Sequence, residues 1–209
     1  MELHEVIRRR AMCRSFAGDP IDATILERML SGALSSPTAG NTQGTSWIVL
    51  EGAAQTATYW DATTDDAWRS RNPDWFSGLA RAPVVLLAYA SPAAYAARYS
   101  EPDKGDAELG TGPDAWPVPY WYGDAAFGVM AVLFQAVDAG LGASLLGNFR
   151  GEQELAIALG VPEQWRLFCG VVLGKPAGLG HRSRSLCLAW SSSARFFGAS
   201  TVLIPSFHC

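Results

Sequence analysis

Residues 124–139 form a predicted helix that is apolar on nearly every side. Its large apolar side chains are Phe127, Val129, Met130, Val132, Leu133, Phe134 and Val137. A helix without a polar stripe has no face suited to water, so it must lie at the centre of a fold or in an interface. Gly140 ends it, because glycine readily adopts the left-handed conformation that follows a helix. We therefore expect the other elements to pack around this helix.

Four shorter apolar segments are typical of strands. Residues 83–89 are continuously apolar, which predicts a strand buried on both faces. Three further strands are predicted over residues 46–51, 142–149 and 167–173.

Helical patterns lie among these strands. Leu3 and Val6 are spaced for one helix face near the start, and Asp22 is placed to cap a second helix. Residues 53–81 are predicted to be partly helical, and residues 152–159 form a short predicted helix. Helices and strands mix without strict alternation, which favours an α+β sandwich.

Composition restricts the class of protein. At 209 residues the chain is long enough for a sizeable core, and we expect one domain over residues 1–209. Hydrophobic residues make up 49% and charged residues 17%, which excludes a disordered chain. The net charge of −4 argues against a general nucleic-acid binder. The four cysteines and three histidines lack metal-ligand spacing, so no metal site is expected.

The sequence carries no signal for export or membrane insertion. It begins with a charged segment that has no apolar core. The most apolar run, residues 125–137, is too short to span a bilayer. The expectation is a soluble, cytoplasmic protein without a membrane partner.

A polar, glycine-containing loop over residues 35–45 leads directly into the first predicted strand, and an arginine cluster lies upstream. The arginines are Arg8, Arg9, Arg10 and Arg14. The loop offers backbone N–H groups and neutral polar side chains, and arginine offers bidentate cationic donors. Together they suit a ligand with a phosphate at one end and a polar heteroaromatic ring at the other. A solvated helix end and an ordinary turn are the simpler interpretations.

Two motifs carry a resemblance to the nitroreductase family of flavin mononucleotide (FMN) oxidoreductases. Arg10-Ala-Met-Cys-Arg14-Ser-Phe16 resembles the family's Arg-x-x-x-Arg-x-Phe element. Pro37-Thr-Ala-Gly-Asn-Thr-Gln43 resembles its Pro-[Ser/Thr]-Ala-x-Asn-x-Gln loop. The resemblance covers roughly residues 1–180. It implies a nitroreductase-like α+β fold, with a central, mostly antiparallel sheet flanked by helices and a C-terminal tail exchanged across a dimer.

The resemblance also implies a set of cofactor-binding residues. Arg10 and Arg14 would bind the FMN phosphate, whereas Arg8 and Arg9 match the motif less well. The strand end at residues 146–148 would turn its backbone N–H groups to the flavin, and Arg182 and Arg184 are secondary phosphate candidates. The full set is Arg10, Ala11, Met12, Arg14, Pro37, Thr38, Ala39, Asn41, Gln43, Leu146, Gly147, Asn148, Arg182 and Arg184.

The chain departs from the family pattern in two places. Many members carry an acidic residue near Gly147, and this chain does not. The tail over residues 185–209 lacks the expected charged ending. It is either a variant tail, with residues 199–204 adding a strand to a neighbouring subunit, or the product of a reading-frame change.

By resemblance the chain is an oxidoreductase with a ping-pong cycle. NADH or NADPH would reduce FMN and leave, and a nitroaromatic, quinone or similar flat acceptor would then take the electrons. A homodimer is implied, with residues 53–122 covering the flavin and no catalytic side chain required. The alternatives are a flavin- or deazaflavin-binding protein for storage or sensing, a flavin-fragmenting or dehalogenating relative, and a cofactor-free dimer.

Overall fold

A computed structural model describes residues 1–178 and 182–183. Within these residues the helices are α1 Leu3–Arg9, α2 Ala23–Leu34, α3 Gly52–Thr63, α4 Asp66–Arg71, α5 Pro73–Ala80, α6 Pro92–Tyr99, α7 Tyr120–Asp138 and α8 Glu152–Leu159. The strands are β1 Met12–Cys13, β2 Thr45–Glu51, β3 Val84–Ala90, β4 Gly142–Leu146, β5 Arg166–Gly174 and β6 Arg182–Ser183. Short 3-10 turns cover Ala39–Asn41, Pro102–Ala107, Leu109–Thr111 and Pro113–Ala115.

The described strands form one sheet in the order β2-β3-β5-β4-β1-β6. Strand β3 is antiparallel to β2 and β5, and β5 is antiparallel to β4. Strand β1 runs parallel to β4, with Met12 opposite Ala143, and β6 is antiparallel to β1. The predicted α+β fold with a mostly antiparallel sheet is confirmed. The predicted exchange of the C-terminal tail concerns residues outside the described part of the chain.

Helices cover both faces of the sheet, so strand β3 is buried along its whole length. Successive side chains of a strand point to opposite faces. Val85 and Leu87 therefore pack on one face with Leu146 and with side chains of α3, α5 and α8. Leu86 packs on the other face with side chains of α2 and α7. We call these the α3 face and the α7 face.

Helix α7 is the centre of the α7 face. Val132 is fully buried, and a Cβ added at Gly128 would lie 3.2 Å from the carbonyl oxygen of Ala33, so α7 and α2 approach closely. Burial is one-sided, since Phe127 is 54% and Met130 38% exposed. The inner side of α7 therefore lies at the centre of the fold, as predicted. Its outer side is apolar and exposed, so it is available for an interface. None of the described helices has the length and hydropathy needed to cross a membrane.

Local sequence signals set several helix starts. Asp22 caps α2 as predicted, because its carboxylate accepts a hydrogen bond of 2.8 Å from the backbone N–H of Thr24. Asp65 and Ser91 cap α4 and α6 in the same way. Pro92 follows Ser91 in the first turn of α6, where a missing N–H removes no helical hydrogen bond.

Two regions differ from the sequence-based expectation. Neither a helix nor a strand is predicted from the sequence over residues 91–118, but this segment begins with α6, whose alanine-rich sequence favours a helix. The strand expected over residues 142–149 ends at Leu146. The partly helical region 53–81 consists of α3, α4 and α5, as expected.

Leu87→Ala is expected to lower the free energy of unfolding by about 2–5 kcal/mol, because it leaves a cavity in a fully buried strand. Urea unfolding at one fixed protein concentration, followed by tryptophan fluorescence, measures the loss. Ile157→Ala is the control, since Ile157 is 75% exposed on α8, and its effect should stay within about 0.5 kcal/mol. Equal losses in the two variants would contradict the central position of β3.

Candidate functional site

The four clustered arginines divide into two pairs. Arg8 and Arg9 lie on the exposed side of α1, and both bind Glu5, with Arg8 Nη2 donating to Glu5 Oε1 at 2.7 Å. These hydrogen bonds, Arg8's first, lower the pKa of Glu5 to about 2, so the carboxylate stays charged at neutral pH. Arg10 and Arg14 are half-buried on either side of β1. The structure thus separates the two motif arginines from their neighbours.

Strand β1 brings the segment that contains Arg10, Ala11, Met12 and Arg14 near the strand end at residues 146–148. Met12 lies opposite Ala143, three residues before Leu146 on the adjacent strand. Strand spacing and rise then put the Cα atoms of Met12 and Leu146 about 11 Å apart. The chain continues from Arg14 to Phe16, whose N–H donates to the carbonyl of Gly78 in α5 at 3.2 Å.

A cleft of about 310 Å³ opens beside the 146–148 strand end. Five of the side chains that line it are aromatic, and they are Tyr59, Trp60, Trp68, Trp75 and Phe149. Helices α3, α4 and α5 supply four of them. A concave, largely apolar site with a few polar groups suits a flat ligand.

Asn148 is anchored to helix α3. The Tyr59 hydroxyl donates to Asn148 Oδ1 at 2.9 Å. Burial raises the pKa of Tyr59 above its ordinary value, so the hydroxyl remains a protonated donor at neutral pH. Beyond the strand end, Arg150 Nη1 donates to Asp65 Oδ2 at 2.5 Å, which joins the cleft's rim to the cap of α4. The Asn148 side chain therefore holds the strand end in place.

Gly147 is exposed and lies under the ring of Phe149. A Cβ built at Gly147 would come within 2.9 Å of that ring, and Phe149 itself is 97% exposed. An acidic side chain at position 147 would require the ring to move. Glycine here keeps the backbone open to close approach by a ligand.

The loop of residues 37–43 forms a tight turn. Gly40 and Asn41 both have left-handed backbones, with φ of 64° and 55°, and the Thr42 N–H donates to the Ala39 carbonyl at 3.2 Å. Two left-handed central residues are the geometry of a type I′ turn, which glycine and asparagine favour. Gln43 Nε2 donates to the Asn41 carbonyl at 3.2 Å. Pro37, Asn41 and Gln43 are exposed, whereas Thr38 and Ala39 are half-buried.

Within one chain, the 37–43 loop lies apart from the arginine segment and from the 146–148 strand end. The loop precedes β2, and β3 and β5 separate β2 from β4 in the sheet. Three strand spacings correspond to about 14 Å. The loop also follows α2 on the α7 face, whereas the side chain of Leu146 packs on the α3 face. A small cavity of about 250 Å³ beside the loop is lined by neighbouring residues of α2, β2 and α7.

Sequence reasoning missed the residues that hold these segments. Asp124 accepts a hydrogen bond from the Ala39 N–H, Arg98 donates to the Gly40 carbonyl, and Tyr59 holds Asn148. The sequence could have indicated Asp124, because it is one of only two charged residues in the otherwise apolar helix α7. No local pattern marks the other two.

The secondary candidates are only partly described. Arg182 begins β6 opposite Cys13, so its backbone lies next to β1. The side chain of Arg182, all of Arg184 and the tail over residues 185–209 lie outside the described part of the chain.

Gly40→Ala is expected to lower the free energy of unfolding by about 1–2 kcal/mol, because alanine disfavours a left-handed backbone. The added Cβ would also lie 2.8 Å from the ring of Tyr99. Gly105→Ala is the control, since no atom lies within 4 Å of its added Cβ. Thermal and urea unfolding of both variants measure the difference. A Gly40→Ala variant as stable as the control would rule out this turn.

The fold and site define an α+β protein that combines an arginine segment, an open strand end and an aromatic cleft at its sheet. The chain belongs to the Nitroreductase family, whose model matches residues 7–175. Membership in this family supports an oxidoreductase. No curated protein matches the sequence significantly.

Solved structures share the fold at low sequence identity. A nitroreductase family protein from Clostridium novyi NT is 21% identical, with a TM-score of 0.64 over 85% of this chain and 87% of that one. A protein from Desulfovibrio desulfuricans, described as a nitroreductase in complex with FMN, is 18% identical, with a TM-score of 0.64 over 88% and 92%. The hypothetical oxidoreductase YcnD of Bacillus subtilis is 23% identical, with a TM-score of 0.66 over 85% and 67%.

Proposed function

We propose that this chain is an FMN-dependent oxidoreductase that passes electrons from NADH or NADPH to a nitroaromatic, quinone or similar flat acceptor by a ping-pong mechanism. Family membership supports an oxidoreductase, and the Desulfovibrio relative is described with FMN. The observation that carries the proposal is that the 146–148 strand end and the aromatic cleft lie on the α3 face, where Cys13 and Phe16 of the arginine segment also pack. FMN supplies the redox chemistry that amino-acid side chains lack.

The arginine segment fits the phosphate end of this cofactor. Arg10 and Arg14 bind the phosphate, and Ala11 and Met12 connect them along β1. Each charge-assisted hydrogen bond contributes about 1.5–3 kcal/mol, a substantial part of the roughly 8 kcal/mol of a micromolar complex. Arg182 is a further candidate, because its strand pairs with β1. Arg184 remains a candidate from sequence.

The strand end and the cleft fit the ring end. Residues 146–148 turn backbone groups to the ring edge, and Gly147 permits close approach. The aromatic wall excludes water and stacks on flat acceptors. Phe149, which lies over Gly147, is the side chain that an entering ligand has to displace.

A homodimer completes the site in this proposal. The 37–43 loop is about 14 Å from β4 within one chain, so a second copy has to supply Thr38 and Asn41 to the ring. A twofold dimer satisfies this twice, since each copy then both gives and receives a loop. Exposed apolar side chains on α1, α2 and α7 support such an interface, and they are Leu3, Ile7, Leu34, Phe127 and Met130.

Residues 53–122 cover the flavin in this proposal. Trp60, Trp68 and Trp75 from this region line the cleft, which supports the assignment. The single domain and the cytoplasmic location remain predictions from sequence.

The visible spectrum of the purified protein tests the cofactor. We expect a yellow protein that releases FMN on heating, bleaches anaerobically with NADPH or NADH, and is reoxidised by a quinone or nitroaromatic. Bound flavin that neither nicotinamide reduces would indicate a storage or sensing protein instead. A colourless protein that does not take up added FMN would contradict the proposal.

Arg14→Ala is expected to weaken FMN binding about 10- to 100-fold, because one charge-assisted hydrogen bond to the phosphate is lost. Arg8→Ala is the matched control, since it removes the same charge from a side chain that binds Glu5 on the exposed side of α1. Its affinity should stay within about threefold of the unaltered protein. Titration of flavin-free protein, followed by quenching of flavin fluorescence, measures both constants. Equal affinities would refute the phosphate assignment.

A further inference from the structure

Asp124 is a buried acid that the proposed electron transfer does not use. It is 5% exposed and lies in the apolar helix α7, whose other charged residue, Asp138, is exposed. Burial of a carboxylate is unfavourable unless hydrogen bonds replace its water. The hydrogen bonds of Asp124 therefore have to account for its position.

Those hydrogen bonds lead to the 37–43 loop. Asp124 Oδ2 accepts from the backbone N–H of Ala39 and from the hydroxyl of Tyr95, each at 2.7 Å. Tyr95 is fully buried, and burial followed by the hydrogen bond to Asp124 raises its pKa above the ordinary value. The phenol thus stays protonated and orients the carboxylate toward Ala39.

Ala39 is the residue on which the turn closes. Its carbonyl accepts hydrogen bonds from the N–H of Thr42 at 3.2 Å and from the hydroxyl of Thr42 at 2.6 Å. The left-handed backbone of Asn41 carries an energetic penalty, and such residues persist where their surroundings hold them. Asp124 binds the remaining polar backbone group of Ala39, so both backbone groups of this residue are hydrogen-bonded.

Arg98 holds the next residue of the same turn. Its Nε donates to the Gly40 carbonyl at 3.0 Å, while Nη1 and Nη2 each donate to Asp103 at 2.7 Å. Arg98 and Tyr95 both belong to α6. The turn is therefore held at adjacent residues by α6 and α7, and α6 lies within the proposed covering region.

We infer that Asp124, oriented by Tyr95, is a positioning residue that holds the 37–43 loop in the conformation that presents Thr38 and Asn41 to a ligand. The inference rests on the proposed function only for the identity of that ligand, FMN. Its structural part concerns the loop alone and applies to the flavin-free protein as well.

Two measurements on three variants test the inference. Amide hydrogen exchange of residues 38–42 in flavin-free protein reports the loop, and fluorescence titration reports the dissociation constant of FMN. Asp124→Leu is expected to speed exchange of these amides and to weaken FMN binding, each about tenfold or more. Asp124→Asn keeps an oxygen that accepts both hydrogen bonds, so both quantities should stay within about threefold. Asp138→Leu, on the same helix, should change neither.

The outcomes separate the inference from the proposed function. Unchanged loop exchange in a folded Asp124→Leu variant, or equal losses in the leucine and asparagine variants, would overturn the inference. Loop exchange that responds as expected in a protein that never binds FMN would support the positioning role and refute the proposed function. If Asp124→Leu does not fold, Tyr95→Phe takes its place, because it removes one hydrogen bond and keeps the packing. Faster loop exchange in Tyr95→Phe supports the inference, and unchanged exchange overturns it.

Discussion

The burial of β3 on both faces is the constraint on which the rest of the fold depends. A strand without a polar face needs helices on both sides, and the chain provides α2 and α7 for one face and α3, α5 and α8 for the other. Because helices cover both faces of the sheet, polar segments reach the surface at the ends of the strands and at the β1 edge. The strand end after β4 and the loop before β2 lie at the same end of the sheet, about 14 Å apart across three strand spacings.

Much of this fold could be predicted from sequence, because its signals are local. The continuous apolar run at residues 83–89 predicts a buried strand, and Asp22 marks the start of a helix that does begin there. The two-residue strand β1 could not be predicted, since a strand of that length has no periodicity. It exists because it pairs with β4 on one side and with β6 on the other. Strand β4 ends at Leu146 although β5 continues beyond Gly170, and the anchoring of Asn148 to Tyr59 is a long-range contact that no local pattern shows.

In the candidate site too, residues marked by local motifs could be predicted, and residues held by long-range contacts could not. Motif spacing selected Arg10 and Arg14 over Arg8 and Arg9, and this choice stays a prediction. The structure shows that Arg8 and Arg9 both bind Glu5. The supporting residues were missed because their partners are distant in sequence. Asp124 lies 85 residues from Ala39, and Tyr59 lies 89 residues from Asn148. From the sequence alone, Asp124 is interpreted as the start of a helix and Tyr59 as a core aromatic residue.

Helix α7 links the loop to the exposed apolar surface. Its inner side carries Asp124 against Ala39, and one turn further along Phe127 is exposed. A partner that covers Phe127 and Met130 would therefore bury the outer side of the helix whose inner side contacts the loop. In the proposed dimer, the carboxylate would set the loop's conformation within one chain, and association would set the loop's position relative to the partner's strand end. The two requirements are independent, because the Ala39 hydrogen bond exists in the single chain. A loop that is already formed before association loses less conformational entropy when the site is assembled.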